Sequence, residues 1–480
     1  MLFYTIEFLI FFIILISLLF IFRGNHKKKL ILLASSYIFY MWWNPVFILL
    51  IIFSTVIDFF IGKRLEKEED DNKRKILLVM SLCGNLGMLV FFKYFGFFQM
   101  NMLFLLKMFG HDPNWTTLNI ILPVGISFYT FQTLSYTIDV YRRKLKTCHS
   151  ALDFSLFVSF FPQLVAGPIV RAADFLPQLK KESKLNFNRY ALLMIIRGVF
   201  KKVIIADNIS KFADIVFNSP HSWNSVVIWM ALVCFYIQIY CDFSGYSDIA
   251  IGIADILGYK LMLNFNRPYF SRNPSDFWKR WHISLSEWLR DYLYIPLGGN
   301  RSGTWGMYRN LTITMLLGGL WHGAGWSFIL WGLLHAVALI GHRLWVSFMK
   351  ILKLEGLRDV AIYKLMSWAI MQYWVLLTWI PFRVQKTRDM LFCIKKFMFF
   401  DFDFQLSGKG LASSSMGMFS VLFFIFMFAI LHLFSYFCGS LDKKIDNLKG
   451  LMPYVACVVI GVVFFLFWPS NESPFIYFQF

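Results

Sequence analysis

Charged residues are scarce in this sequence, and acidic residues are the scarcest. Asp, Glu, Lys and Arg together make up 16% of the 480 residues, whereas hydrophobic residues make up 58% and aromatic residues 20%. A soluble protein of this length needs far more polar surface than such a composition supplies. The composition therefore excludes an ordinary soluble globular protein.

The sequence also lacks internal repeats, the strand alternation of an outer-membrane barrel, and any polar stretch long enough for a soluble domain. Apolar runs of membrane-spanning length recur instead from end to end. Backbone groups in lipid must be satisfied within helices. We therefore predict an all-α, polytopic integral membrane protein that is a single domain over residues 1–480, with about eleven transmembrane helices.

The seven cysteines form no C-x-x-C pair, and most of them lie in apolar runs. We expect neither a disulfide framework nor a cysteine-based metal site. The first apolar stretch, residues 2–22, is too long for the core of a signal peptide and lacks a cleavage site. It is interpreted as a retained first span.

Basic residues outnumber acidic residues by 47 to 28, which gives a formal net charge of +19. They lie between the apolar runs, so they indicate cytoplasmic loops and contact with anionic membrane lipid rather than a nucleic-acid partner. Residues 258–310 are rich in Arg and aromatics and are predicted to be a cytoplasmic segment that dips into the membrane. The tail, residues 470–480, lacks Lys and Arg and is expected outside the cytoplasm.

Two segments do not fit a simple row of spans. Residues 154–170 are apolar but short and contain two prolines, which is typical of a re-entrant segment. Residues 383–397 are basic, although the alternation of spans places them outside. Either the number of spans differs from the prediction, or these residues form an amphipathic interfacial helix.

His322 is the strongest candidate for chemistry. It lies in a long apolar run and has glycines on both sides, which we expect to let a ligand approach the backbone. The neighbouring Trp321 is a candidate for lining an aromatic slot. The structural alternative is a core histidine that is hydrogen-bonded between helices.

His282 is the second candidate, on a predicted amphipathic helix with Ser275 or Asp276 as its N-terminal cap. Neutral imidazole accepts a proton near physiological pH, which suits acyl transfer to a hydroxyl group. The resulting oxyanion needs a donor, which His282 or the backbone amides near residue 323 would supply. The surrounding side chains are candidates for binding a donor substrate with phosphates, or alternatively lipid phosphates: Lys279, Arg280, Trp281 and Arg290.

No metal site is expected. His322 and His335 are thirteen residues apart and fall on different faces of one helix. Asp242, Asp248 and Asp255 recur along another apolar run and would bind an ion, conduct protons or pair with buried Arg or Ser groups. They make a transporter the main alternative to an enzyme, although a transporter predicts inverted repeats that are not seen.

Several short motifs resemble those of the membrane-bound O-acyltransferases (MBOAT), in the branch that O-acetylates bacterial alginate. They extend over most of the chain and are specific only in combination. The segments that carry the resemblance are PVGISFYTFQ at 123–132, FPQLVAGPI at 161–169, DFSGYSD at 242–248, NFNRPY at 264–269, the Trp278–Trp288 segment, YIPLGGN at 294–300, and WHGA at 321–324.

This resemblance implies a ring of tilted helices with re-entrant segments around a central tunnel, in the inner (cytoplasmic) membrane of a bacterium. It makes His322 the catalytic histidine and His282 the second family residue. The implied donor is acetyl-CoA or a carrier-bound acyl thioester in the cytoplasm, without a metal. The implied acceptor is an exported glycan, reached through an SGNH-type esterase or transferase partner outside the membrane.

The tail also resembles the terminal motif of the family. We hypothesise that Tyr477 accepts the acyl group and passes it to the partner, because a phenol forms a fairly activated ester. The alternative is an aromatic belt at the membrane surface. Acetyl transfer to an alginate-like exopolysaccharide or peptidoglycan is favoured over D-alanyl transfer to teichoic acid. A non-enzymatic transporter, or a scaffold for a secreted glycan-modifying enzyme, remains a further alternative.

Overall fold

The computed structural model describes residues 1–111, 118, 120–402, 418–438, 452–469 and 475–476. Within these ranges all regular secondary structure is helical, which confirms the predicted all-α class. The chain divides into two compact units. The prediction of one domain over the whole chain stays a prediction.

The first unit consists of Met1–Asn188 and Ala250–Met262. The α-helices in its described part are α1 (Ile6–Ile21), α2 (Asn25–Met41), α3 (Ile48–Lys67), α4 (Asp71–Leu89), α5 (Phe95–Met108), α6 (Ile126–Tyr141), α7 (Ala151–Ser159), α8 (Phe161–Leu164) and α9 (Ala172–Lys180).

The second unit consists of Arg189–Ile249 and Leu263–Phe480. The described helices that begin in it are α10 (Arg189–Val199), α11 (Asp207–Asn218), α12 (Ser225–Ile256), α13 (Pro274–Trp278), α14 (Ile283–Leu289), α15 (Gly303–His322), α16 (Trp326–Ile351), α17 (Ala361–Arg383), α18 (Thr387–Met398), α19 (Met418–Cys438) and α20 (Met452–Phe467). Helix α12 crosses from this unit into the first.

Six helical stretches in the described part of the chain are long and apolar enough to cross a membrane. This agrees with a multi-pass membrane protein, while the predicted number of about eleven spans is not confirmed. The six stretches are Pro45–Lys67, Asp71–Met108, Ser225–Ile256, Trp326–Ile351, Ala361–Arg383 and Phe419–Phe437.

Polar side chains within the apolar helices of the first unit hydrogen-bond to one another. Asp58 on α3 accepts from Ser81 and from Asn85 on α4, the latter over 2.9 Å. Ser54 donates to the Asn85 amide oxygen over 2.6 Å. Buried polar groups without partners are costly, so this network allows two neighbouring helices to carry them.

The structure of the short and irregular segments largely agrees with the predictions made from the sequence. Residues 154–170 contain α7 and α8, which are too short to cross a bilayer. Their re-entrant position stays a prediction. Residues 383–397 contain α18, which buries Met390, Cys393 and Phe397 and is therefore amphipathic as predicted. A π-helical segment, Val90–Tyr94, interrupts the helix between α4 and α5.

Helices α15 and α16 form an antiparallel pair whose close approach depends on glycine. A Cβ at Gly319 would overlap the Phe328 carbonyl, and one at Gly332 would overlap the Met315 carbonyl. A Cβ at Gly323 would meet the Phe328 ring. The expectation that glycines beside His322 admit a ligand was therefore wrong for Gly319 and Gly323, because the space beside them is filled by helix α16.

Candidate active site

His322 is the last residue of α15 and is only 4% exposed. Its imidazole lies among aromatic rings from three helices, with centroids 5.0 Å from Trp321, 4.9 Å from Trp331 and 5.4 Å from Phe382. The α15–α16 pair holds it in place, because the chain leaves helical geometry at Gly323 and re-enters it at Trp326. The tunnel to this ring that the family resemblance implies stays a prediction.

His282 lies in a break between two short helices rather than inside one long helix. The predicted continuous amphipathic helix was wrong, since α13 ends at Trp278 and α14 begins at Ile283. Its predicted cap was also wrong, because Asn273 accepts from the Asp276 amide over 2.8 Å. His282 itself adopts a left-handed backbone with φ 43°, which a non-glycine residue rarely adopts.

The imidazole of His282 is fully buried, and one of its two nitrogens, Nδ1, makes a hydrogen bond to the backbone. Its Nδ1 accepts a hydrogen bond from the Leu285 amide over 3.2 Å and so caps α14. Burial lowers the pKa of this ring, which lies between candidate spans, to about 3. A neutral imidazole that accepts at Nδ1 carries its proton on Nε2, so Nε2–H is a hydrogen-bond donor.

The two candidate histidines and Trp321 come together, as the motifs predicted. The ring centroids of His282 and His322 are 6.5 Å apart, with the planes inclined by 73°. Trp321 contacts both rings, at 5.7 Å from His282. Phe243 of α12 contacts His282 from another direction, at 4.7 Å. The Nε2–H donor of His282 and the imidazole of His322 thus lie close together among packed aromatic rings, where water has little access.

Asp242 directly precedes Phe243 on α12, and its carboxylate pairs with protein groups. Its Oδ1 lies 2.8 Å from Nζ of Lys202, which also lies 2.7 Å from Oδ1 of Asp207. All three side chains are almost fully buried. Oδ2 of Asp242 accepts a hydrogen bond from the backbone amide of Ile476 over 2.7 Å. Asp242 therefore anchors Ile476.

The described part of the tail also packs through Phe475. Its ring lies 5.9 Å from Phe243 and 5.1 Å from Tyr246. Since Phe243 also contacts His282, Phe475 lies within two ring contacts of that imidazole. Tyr477, the hypothetical acyl carrier, lies outside the described residues, one position beyond Ile476.

The candidates for donor binding take different positions. Arg280 pairs with Asp276 at 2.8 Å, and Arg290 pairs with Asp291 at 2.6 Å. Lys279 is exposed. Trp281 is fully buried, with its ring 5.1 Å from that of Trp379. The two arginines thus already have carboxylate partners, and the indole of Trp281 belongs to the core.

The other acidic residues of α12 also have basic partners. Asp248 binds Arg197 at 2.8 Å and Lys201 at 2.7 Å. Asp255 pairs with Lys260. The alternative that these carboxylates pair with arginine is confirmed for Asp248, whereas Asp242 and Asp255 pair with lysines instead.

The sequence did not predict how His335 lies relative to His322. The two were expected on different faces of one helix, but they lie on separate helices and contact the same indole, that of Trp331. The His335 ring lies 4.6 Å from it and the His322 ring 4.9 Å. Among the described residues, no group of three or more His, Cys, Asp or Glu side chains has the arrangement of a metal site.

Lys202 and Phe243 are the site residues that sequence reasoning missed. Phe243 gives no signal among 56 phenylalanines. Lys202 does give one, because a lysine beside the apolar run 203–206 is costly to bury unless it is paired. It lies in a π-helical segment, Phe200–Ala206, and such segments often occur at functional sites.

Known proteins match this chain over long stretches. The sequence model described as MBOAT, membrane-bound O-acyltransferase family, matches residues 142–380. A peptidoglycan O-acetyltransferase of Helicobacter pylori is 35% identical over 452 residues, which are 85% of this chain and 82% of that protein. A probable alginate O-acetylase AlgI of Azotobacter vinelandii is 40% identical over 312 residues, 64% of this chain and 60% of that protein.

A teichoic acid D-alanyltransferase of Bacillus subtilis is more distant, at 31% identity over 245 residues, 48% of this chain and 60% of that protein. The match to the Helicobacter pylori protein covers most of both chains, so the resemblance is not restricted to the short motifs. The histidine pair lies within the region that the family model matches. The chain therefore belongs to the membrane-bound O-acyltransferase family and is a multi-pass membrane acyltransferase.

Proposed function

We propose that this chain transfers an acetyl group from a cytoplasmic thioester towards a hydroxyl group of an exported glycan. The donor is acetyl-CoA or an acyl carrier, and the acceptor is peptidoglycan or an alginate-like exopolysaccharide. The observation that carries the proposal is the buried imidazole pair, with ring centroids 6.5 Å apart. The names of two relatives, a peptidoglycan O-acetyltransferase and a probable alginate O-acetylase, support acetyl over D-alanyl transfer.

In this proposal His322 is the general base. It takes the proton of the attacking hydroxyl while that oxygen bonds to the thioester carbonyl carbon. The carbon–sulfur bond then breaks, and the proton passes to the departing thiolate. The products are an ester and a free thiol, so atoms and charge balance.

His282 donates from Nε2 to the oxyanion that develops on the carbonyl oxygen. Its Nδ1 accepts from Leu285, which fixes this tautomer before substrate binds. The backbone amides near Gly323 are less suitable donors. The Gly323 amide donates to the Gly319 carbonyl, and the Gly325 amide donates to the Gly323 carbonyl.

The first acceptor in this scheme is Tyr477, which passes the acetyl group to an SGNH-type partner outside the cytoplasmic membrane. Two observations support it. The Ile476 amide is bound to Asp242, and the Phe475 ring contacts Phe243, which in turn contacts His282. Phe475 and Ile476, the two described residues of the tail, thus both contact residues of α12 that neighbour His282.

The acceptor and the acyl group are tested together by analysing the cell envelope. A strain that lacks the chain is compared with the same strain complemented by the parent or by His322→Gln. Peptidoglycan, exopolysaccharide and teichoic acid are purified, and ester-linked acetate and D-alanine are released with mild base. Acetate restored only by the parent supports the proposal. Restored D-alanine supports the alternative activity, and restoration by His322→Gln contradicts the role of His322.

A further inference from the structure

A cavity of about 560 Å³ lies in the second unit, away from the histidine pair. It is bounded by the end of α16, the beginning of α17 and the residues just before α13. Its volume is within the range of ligand-binding cavities in proteins. Neither His322 nor His282 lines it, so the proposed chemistry does not explain it.

The polar side of this cavity carries only positive charge. Arg272, Arg358 and Lys364 line it together with His342, and none of the residues that line it is acidic. Arg272 makes no ion pair within the described part of the chain. Lys364 has only a long contact of 3.8 Å with Asp359, which is almost fully exposed and therefore weakly bound. Such a cluster fits an anion such as a phosphate.

The rest of the cavity is apolar and aromatic. Ala338, Ile370 and Met371 form an apolar trough, and Trp374 adds an indole whose N–H has no acceptor among the described residues. A cluster of cations above an apolar trough matches a ligand that joins a phosphate to a hydrocarbon chain.

The position of the cavity also matches a membrane surface. Helices α16 and α17 are both candidate spans, and the cavity lies where one ends and the other begins. Trp345 donates from Nε1 to the Tyr363 hydroxyl over 2.9 Å at the rim, and Trp and Tyr are enriched at membrane interfaces. Exposed apolar residues flank the rim, including Ile351, Ile362 and Leu365, which are 77%, 61% and 57% exposed.

We infer that this cavity binds an anionic phospholipid, with its phosphate on Arg272, Arg358 and Lys364 and one acyl chain in the trough. Basic cavities between transmembrane helices are typical binding sites for acidic lipid headgroups. A short-chain thioester such as acetyl-CoA has no long hydrocarbon part to fill the trough. The inference does not depend on the proposed acetyl transfer.

The inference is tested by native mass spectrometry of the delipidated protein, titrated with phosphatidylglycerol or phosphatidylcholine. The variant Arg272→Gln/Arg358→Gln/Lys364→Gln should bind phosphatidylglycerol at least about tenfold more weakly than the parent. The control, Lys67→Gln/Lys73→Gln/Arg301→Gln, removes the same charge at three exposed positions and should bind like the parent.

A second variant tests the trough without changing charge. A Cβ at Gly341, which lines the cavity, would meet no atom within 4 Å, so Gly341→Leu should fill the trough without disturbing the packing around it. It should also weaken phosphatidylglycerol binding. The inference is overturned if Gly341→Leu binds the lipid like the parent, if phosphatidylcholine binds equally well, or if coenzyme A displaces the lipid.

Discussion

The backbone amide of Ile476 donates a hydrogen bond to the carboxylate of Asp242 across 234 positions of sequence. The distance is 2.7 Å, and the carboxylate is held from its other oxygen by the buried Lys202. A charged acceptor makes such a bond stronger than one between neutral groups. Residues 475–476 of this acyltransferase are thereby held against helix α12 beside Phe243.

Asp242→Ala should release the tail. Loss of a charge-assisted hydrogen bond costs about 1.5–3 kcal/mol, so deuterium exchange of the peptide that contains Ile476 should become at least tenfold faster. Asp248→Ala is the matched control, because it also removes a buried carboxylate of α12 that pairs with basic residues. Equal exchange of the tail peptide in both variants would show that Asp242 has no special role in anchoring it.

His282→Asn should fold but react slowly. Asn tolerates the left-handed backbone at this position and can still cap α14, while it lacks the imidazole Nε2–H. Loss of an oxyanion donor lowers the rate of the chemical step by about 10²–10³-fold. The measurement is acetyl transfer in proteoliposomes, alongside the thermal unfolding midpoint. A transfer rate near that of the parent would limit His282 to a structural role.

Gly332→Ala should destabilise the α15–α16 pair. The new methyl group would overlap the Met315 carbonyl, and overpacking of this kind costs about 1–3 kcal/mol. Gly87→Ala on α4 is the control, because a Cβ there meets no atom within 4 Å. Thermal unfolding in detergent should show a lower midpoint for Gly332→Ala alone. Equal midpoints would mean that the helices can separate slightly without loss of stability.

Tyr477→Phe tests the proposed acyl carrier. The parent, expressed without its partner, should accumulate an acetyl ester on the peptide that contains residue 477, and the variant should not. Phe keeps the aromatic ring but removes the hydroxyl oxygen that would form the ester. Mass spectrometry of the tail peptide measures the adduct. An adduct of equal amount in the variant would remove Tyr477 from the mechanism.

The sequence was sufficient to predict the helical membrane class and to select His322 and His282 as the candidate histidines. The membrane class follows from apolar runs of spanning length, and His322 follows from the cost of a histidine inside one of them. His282 was selected from its basic, aromatic segment and from the resemblance to the family motifs. The identification of Trp321 as a neighbour followed in the same way, because it precedes His322 directly.

The break at His282 could not be predicted in this way. The segment around it has the aromatic and basic pattern of one amphipathic helix, but two short helices form with a left-handed residue between them. Packing outweighs the local pattern there, since Trp281 is fully buried between Phe277 and Trp379. The prediction that glycines near His322 admit a ligand failed for a related reason. A glycine that allows two helices to pack closely and a glycine that allows a ligand to approach give the same pattern in a single sequence.

Acyl transfer by His322→Gln in proteoliposomes tests the central claim most directly. His335→Gln is the control, since His335 is also a buried histidine that contacts Trp331. With a radiolabelled acetyl thioester as donor, loss of a general base predicts a transfer rate about 10²–10⁴-fold below the parent for His322→Gln, with thioester binding unchanged. The control should keep most of its rate. A rate for His322→Gln within about threefold of the parent would contradict the account.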